Sequence, residues 1–200
     1  MIKEIPRIHY ITQDHPTLSH AEQAKLVLEA GYSCVQIRMK DHSDNAIKKE
    51  IVRAQGYAEK YNGTLVLNDY PHLAKEMAVR AIHLGLNDMP IKNARELLGA
   101  DVIIGGTANC FEDIVMHYEN GADYIGLGPY RFTTTKKNLS PIIGIEGYNA
   151  ICQQLKDTEI DIPVLAVGGI RLEELELIQN TGMWGIALSG DLLNQIEKSN

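Results

Sequence analysis

The sequence predicts a single-domain α/β protein of the (β/α)8 class, a closed TIM barrel. Three observations carry the expectation. Eight short apolar or β-branched runs alternate with eight helix-like stretches within 200 residues. The runs are only a few residues long, as strands buried in a parallel sheet tend to be. No linker, low-complexity segment or shift of composition divides the chain, so residues 1–200 read as one domain. A doubly wound open sheet is the alternative arrangement of the same alternation.

Taken in order, strand Ile8–Ile11 precedes a helix over Ser19–Ala30, where Ala24 and Leu28 fall one turn apart. Strand Cys34–Ile37 precedes the long helix Asp44–Tyr61, whose apolar stripe is Ile47, Ile51, Ala54 and Ala58. Strands Thr64–Leu67, Ala81–Leu84, Val102–Ile104 and Tyr124–Leu127 are followed by helices Leu73–Ala78, Asn93–Leu98, Phe111–Glu119 and Glu146–Leu155. Strand Val164–Val167 leads to helix Leu172–Gln179, and strand Gly185–Leu188 to the closing helix Asp191–Lys198. Gly31, Gly63, Gly121 and Gly182 each follow a helical pattern, where a left-handed cap favours glycine.

Composition narrows the function classes. Hydrophobic residues make up 44% of the chain and charged residues 22%, the balance of an ordinary globular core. The net charge of −7 argues against a general nucleic-acid binder, which must neutralise phosphates, yet leaves room for a small anion held in one basic cleft. Cys34, Cys110 and Cys152 are widely spaced and contain no C-x-x-C pair, so they read as buried free thiols. The amino terminus lacks an apolar signal region, and no run approaches the ~18 apolar residues of a membrane span. The expectation is a cytoplasmic enzyme without membrane or nucleic-acid partners; homo-oligomer formation is not readable.

A barrel demands that functional side chains cluster just after the strands, at the carboxyl face. The run Gly126 to Lys137 supplies a glycine-proline turn followed by hydroxyls and ammonium groups, a composition suited to a phosphorylated or pyrophosphorylated ligand. A merely solvated loop has the same composition. The second strand ends in Gln36, Arg38 and Lys40, which alternation points to one side of the barrel mouth. The third ends in Asn68-Asp69 and the fourth in His83 through Asp88. Carboxylates at the ends of adjacent strands can share a magnesium ion, although Asn-Asp ahead of Pro71 also suits a helix cap. His83 reads as a hydrogen-bonded core histidine. The fifth strand ends in Gly105-Gly106-Thr107, where glycines permit close approach of a ligand and Thr107 offers a hydroxyl. Gly168-Gly169-Ile170 and Ser189-Gly190-Asp191 open helices after the last two strands, where backbone N–H groups can receive phosphate, or where glycine serves only a tight turn.

With these residues assembled, the chain resembles the thiamine phosphate synthase family over nearly its whole length, from His9-Tyr10-Ile11-Thr12 to Ser189-Gly190. The family's Q-x-R-x-K looks like Gln36, Arg38 and Lys40, and its N-D like Asn68-Asp69. Its H-L-G-x-x-D-M-P looks like His83 to Pro90, its T-x-T-K-K after G-P like Thr133 to Lys137, and its G-G-I like Gly168 to Ile170. The resemblance implies a (β/α)8 barrel that couples a hydroxymethylpyrimidine pyrophosphate to a thiazole phosphate, giving thiamine phosphate and pyrophosphate, with magnesium. It implies that Arg38, Lys40, Asn68 and Lys136 hold the pyrophosphate, with Arg38, Lys40 and Lys136 catalytic. It further implies that Asp69 and Asp88 bind magnesium and that Gln36 and Thr107 face the pyrimidine. Thr133, Thr134, Thr135, Gly169, Ser189 and Gly190 are implied to receive the thiazole phosphate.

Several positions depart from the family's pattern. Met39 stands where aspartate is frequent, Leu86 where glutamine is usual, Thr107 in place of serine, and Thr134 in place of a stiffening proline. Two rivals share the scaffold. A thiazole tautomerase would carry a histidine two residues beyond the strand-five hydroxyl; this chain has Asn109, which cannot shuttle a proton near neutral pH. A non-catalytic thiamine phosphate-binding regulator would not need both Asp69 and Asp88.

Overall fold

The computed structural model describes residues 4–132 and 141–199. Among them, eight parallel strands pair in chain order and close on themselves. They are β1 (Ile8–Ile11), β2 (Cys34–Ile37), β3 (Thr64–Asn68), β4 (Ala81–Leu84), β5 (Ile103–Ala108), β6 (Tyr124–Leu127), β7 (Val164–Val167) and β8 (Gly185–Leu188). The closing pair sets Ile8 against Ile186 and Tyr10 against Leu188, so neither edge is left open. The helices that follow each strand are α1 (His20–Glu29), α2 (Asp44–Tyr61), α3 (Pro71–Glu76), α4 (Ile91–Leu98), α5 (Phe111–Glu119), α6 (Gly144–Asp157), α7 (Leu175–Gln179) and α8 (Gly190–Ser199). The chain is a (β/α)8 barrel, and the open-sheet alternative is excluded. No helix among the described residues is long and apolar enough to cross a membrane.

Local chemistry explains the boundaries. α1 begins after Ser19, whose hydroxyl accepts the Glu22 N–H at 3.3 Å while the Glu22 carboxylate accepts the Ser19 N–H at 2.8 Å. α2 ends on Asn62 in the left-handed conformation (φ 53°), not on Gly63 as its position suggests. Gly63 is required for space instead: a Cβ there would stand 2.4 Å from Leu28 Cδ2. The helix expected over Leu172–Gln179 is divided, since Leu172–Glu174 forms a 3-10 turn before α7. Cys34 and Cys152 are buried as expected, whereas Cys110 is exposed ahead of α5.

The outward strand positions form the main core. Val35, Ile37, Leu67, Ile82, Ile104, Ile125 and Leu127 are buried in one cluster with helix residues such as Ala24, Ile51, Ala54 and Ile114. Each fully buried Val, Leu or Ile side chain contributes about 1.5–3 kcal/mol, so this layer carries the fold. The inward positions change character along the barrel axis. Cys34, Val66 and Ala81 fill one end, with Ile5, Tyr124 and Leu165 beside them. Two residues further along their strands, Gln36, Asn68 and His83 are buried polar groups. Apolar residues therefore dominate the amino end, and the buried polar side chains lie between them and the carboxyl mouth.

β5 is longer than its sequence suggests. The run was expected to stop at Ile104, yet the ladder continues through Gly105, Gly106 and Thr107 to Ala108, paired with Tyr124 to Leu127. The two glycines are not a turn and do not admit a ligand. A Cβ on Gly105 would lie 2.2 Å from the Tyr124 ring, and one on Gly106 would lie 2.8 Å from the His117 ring. Glycine here is the condition for an aromatic ring to lie on each face of the strand.

Candidate active site at the carboxyl face

The second strand delivers its three polar residues in a graded way. Gln36 is buried inside the barrel and accepts the Asn68 side-chain N–H at 3.0 Å. Arg38 is half-buried just beyond the strand, with its backbone N–H donated to the Thr12 hydroxyl at 3.0 Å. Lys40 is exposed at the rim, and its ammonium lies 3.9 Å from the Asp88 carboxylate. Between them Met39 turns into the core, only 4% exposed. Its carbonyl accepts the Tyr70 hydroxyl at 3.0 Å, tying the end of β2 to the end of β3.

Asp69 and Asp88 face one another from the ends of β3 and β4. Asp69 and Tyr70 both adopt left-handed backbone conformations (φ 67° and 54°). Two such non-glycine residues in succession are costly, and strain of this kind concentrates at functional sites. The conformation is held by the Asp69 N–H donated to the His83 carbonyl at 2.8 Å and by the Tyr70 N–H donated to Asp69 Oδ1 at 2.7 Å. Asp69 does not cap α3: the N-cap is Tyr70, which makes no side-chain cap bond. On β4, the Asp88 carboxylate accepts the Gly85 N–H at 2.6 Å, which folds it back over the strand end. Burial raises the pKa of Asp69 above the ordinary carboxylate value, and Asp88 raises it further; the Tyr70 N–H and Lys40 oppose the shift.

Beneath this rim lies a buried polar layer. Tyr124 Oη is 3.2 Å from His83 Nδ1, and His83 Nε2 is 2.9 Å from Thr107 Oγ1. His83 is thus a hydrogen-bonded interior histidine that orients the Thr107 hydroxyl. His9 packs edge-on against Tyr124 with ring centroids 5.2 Å apart, and neither of its nitrogens has a partner in good hydrogen-bond geometry. Burial lowers its pKa from 6.5 to about 4, with the Pro6 backbone opposing weakly. Neutral His9 is therefore the folded form. Because the folded pKa is depressed, its stabilisation is complete above pH 6.5 and is lost as pH falls through about 4. The full difference is worth about 3 kcal/mol. In urea unfolding between pH 7 and pH 4, the native chain should lose about that much stability relative to His9→Leu; parallel curves for the two proteins would refute the assignment.

The last three strands frame the other half of the mouth. The Gly128-Pro129 peptide is cis, and the Asn109 side-chain amide donates to the Gly128 carbonyl. The chain then lies across the end of β7, with the Tyr130 N–H on the Val167 carbonyl at 2.9 Å and the Arg131 N–H on the Gly168 carbonyl at 3.1 Å. Gly168 and Gly169 have φ of 99° and 70°, and a Cβ on Gly169 would meet Arg131 Cγ at 2.5 Å. Ser189 donates its hydroxyl to Gln13 Oε1 at 3.2 Å, and Gly190 starts α8 beside the same Gln13. Thr133, Thr134, Thr135, Lys136 and Lys137 lie outside the described residues.

Gln36, Arg38, Lys40, Asn68, Asp69, Asp88 and Thr107 thus come from four adjacent strands to one face, with Gly169, Ser189 and Gly190 at strand ends on the same face. His9 and Tyr124 were not singled out in the sequence. For Tyr124 the signal was Gly105 at an inward position, since an inward glycine marks close approach by another group; His9 had no such signal.

The chain is similar to known proteins in sequence and in fold. The profile of the thiamine monophosphate synthase family matches residues 8–192. The "Thiamine-phosphate synthase" of Phocaeicola vulgatus is 47% identical over 186 residues, covering 93% of this chain and 89% of that protein. The protein of the same name from Flavobacterium johnsoniae is 42% identical over 194 residues, covering 96% and 91%. Among solved structures, "Thiamine phosphate pyrophosphorylase" from Pyrococcus furiosus superposes with a TM-score of 0.81 at 26% identity, covering 96% of this chain and 92% of that one.

Proposed function

The chain belongs to the thiamine monophosphate synthase family, and we propose that the carboxyl-face cluster performs that family's transferase reaction. A pyrimidine bearing a methylene pyrophosphate is joined to a thiazole phosphate, giving thiamine phosphate and pyrophosphate. The observation that carries the reading is the convergence of Lys40, Asp69 and Asp88 from three adjacent strand ends.

The chemistry needs charge stabilisation more than a strong base. The electron-rich aminopyrimidine lets its methylene carbon release pyrophosphate through a carbocation-like state, so negative charge builds on the leaving group. Arg38, Lys40 and Lys136 supply positive charge for it, and Asn68 a neutral donor. Gln36 and Thr107, each held by a buried partner, orient the pyrimidine from below. The thiazole phosphate falls to Thr133, Thr134, Thr135, Gly169, Ser189 and Gly190.

Asp69 and Asp88 fit magnesium. Both offer hard oxygen donors, and burial together with the neighbouring Asp88 raises the proton affinity of Asp69, so a cation beside the pair would offset both effects. When bound there, the ion would neutralise charge on the pyrophosphate. The chain is placed in the cytoplasm as part of this reading.

The test supplies both substrates with magnesium and follows pyrophosphate. One pyrophosphate per thiamine phosphate is expected. Isomerisation of a thiazole phosphate without the pyrimidine would favour the tautomerase, a reading that Asn109 opposes, since its side chain is committed to the Gly128 carbonyl. Tight product binding without turnover would favour the regulator. In the same assay Lys136→Ala should lower kcat by about 10²–10³-fold, the cost of one preorganised donor; a change confined to the KM for the thiazole would move Lys136 to the other substrate.

A further inference from the structure

On the carboxyl face beside the ends of β1 and β2, a second group of ligating side chains converges. Asp14 comes from the β1–α1 loop, His20 is the first residue of α1, and His42 lies in the β2–α2 loop. His20 Nε2 is 3.4 Å and His42 Nε2 is 3.8 Å from the same oxygen, Asp14 Oδ1. Their ligand atoms all lie within 4.8 Å of one another. We propose that Asp14, His20 and His42 bind a divalent ion of the zinc type, which clasps the β1–α1 loop to the β2–α2 loop.

The distances favour such an ion. Zinc bonds of about 2.0–2.1 Å in a tetrahedron set ligand atoms about 3.3 Å apart. The His20–Asp14 edge already has that length, and the His42–Asp14 edge exceeds it by about half an ångström. The two imidazole planes are nearly perpendicular, 84° apart, so neither ring blocks the other's approach to a common centre.

The remaining ring nitrogens are held as metal-binding histidines require. His42 Nδ1 lies 3.0 Å from the Lys40 carbonyl. A carbonyl can only accept, so Nδ1 carries the proton and neutral His42 presents the Nε2 lone pair. That lone pair faces a carboxylate oxygen, so two acceptors oppose each other unless a cation lies between them. A proton on the ring or a metal ion resolves the conflict. His20 Nδ1 is 2.7 Å from Thr12 Oγ1, which also accepts the Arg38 N–H and has a second lone pair for an Nδ1–H. Burial lowers the pKa of His20 in spite of Asp14, which keeps that ring neutral and able to ligate. Glu50, the other carboxylate acting on His20, is occupied by the Ala21 N–H at 2.6 Å and by Arg53 at 3.3 Å. Asp14, 81% exposed in its side chain, is left to complete the set, and solvent can fill the fourth position.

The site differs in chemistry from the Asp69–Asp88 pair. Two imidazoles and one carboxylate suit zinc or cobalt, whereas two carboxylates suit magnesium. Through Thr12 and the Lys40 carbonyl, an ion here would also brace the segment that carries Arg38 and Lys40.

The experiment titrates the full-length, untagged chain with Co²⁺ and follows its visible ligand-field absorption, with Zn²⁺ as competitor. One tightly held equivalent, displaced by Zn²⁺, is expected. Asp14→Asn and His42→Ala should each weaken binding by at least about 10–100-fold, the effect that even outer-shell changes have at metal sites. Asp69→Asn should leave the signal unchanged. His20→Asn serves as a third variant, with circular dichroism confirming the fold of each. No saturable absorption, a signal that survives His42→Ala, or one that vanishes in Asp69→Asn would overturn the proposal. So would NMR showing that His42 stays an imidazolium paired with Asp14 in the presence of excess Zn²⁺.

Discussion

Asp69→Asn should give a more stable protein whose magnesium-dependent turnover is strongly reduced. The replacement keeps shape, and its carbonyl can still accept the Tyr70 N–H. Asparagine also tolerates the left-handed conformation at φ 67°, where alanine would add strain. What it removes is the charge whose burial, together with the neighbouring Asp88, raises the Asp69 pKa. The sign follows from that direction. A carboxyl whose folded pKa is raised adds stability below the ordinary value of 3.8, and that stability is lost as pH rises through the folded pKa. The metal-free native protein should therefore lose stability across this window, and Asp69→Asn should not. Turnover at saturating substrates should fall by about 10²–10³-fold. Magnesium should raise the Tm of the native chain, more above the window than below it, and should not raise that of the variant. Thermal melting with and without magnesium, paired with pyrophosphate release, reads both effects. A variant with native turnover would remove Asp69 from the metal site.

Lys40→Gln should be nearly as damaging to turnover while scarcely changing stability. The Lys40 ammonium lies 3.9 Å from Asp88, but its side chain is 47% exposed. A bare pair at this separation is worth about 4 kcal/mol at an effective dielectric of 20. Solvent and salt reduce exposed pairs to about 0–1 kcal/mol. The Tm should therefore shift little. The role assigned to Lys40 is different, because charge on a departing pyrophosphate develops only in the transition state, where losing one fixed donor costs about 2.7–4 kcal/mol. The expected signature is a fall in kcat of about 10²–10³-fold with native melting. Asp69 should also hold its proton to higher pH, since Lys40 opposes the shift in the native chain. A large loss of Tm with modest loss of kcat would reassign Lys40 to a structural role.

Reading the barrel from sequence succeeded where periodicity and burial coincide. The β1, β2, β4, β6, β7 and β8 spans match the expected runs because each is a short, mainly apolar or β-branched segment set between helical patterns. The end of β5 was missed because glycine carries two meanings. In a sequence it signals a turn; here its lack of a Cβ admits the Tyr124 and His117 rings. The cap of α2 failed for a related reason: Asn62 takes the left-handed conformation, so Gly63 answers to Leu28 instead. In the candidate site, the gathering of Gln36, Arg38, Lys40, Asn68, Asp69 and Asp88 on one face was legible because a barrel sends the residues at its strand ends to one face. Their mutual distances, and the left-handed pair Asp69-Tyr70 that aims one carboxylate at the other, were not.

Local pattern was enough to specify eight strand–helix repeats and the polar residues that terminate them, since alternation and helical period depend only on neighbours in the chain. It could not specify which distant groups would share a buried space. His9, Tyr124, His83 and Thr107 come from four different strands, and Asp14, His20 and His42 from two loops and a helix start. Closure of the cylinder brings them within a few ångströms, and at that range desolvation and charge set their protonation and the ligands they can take.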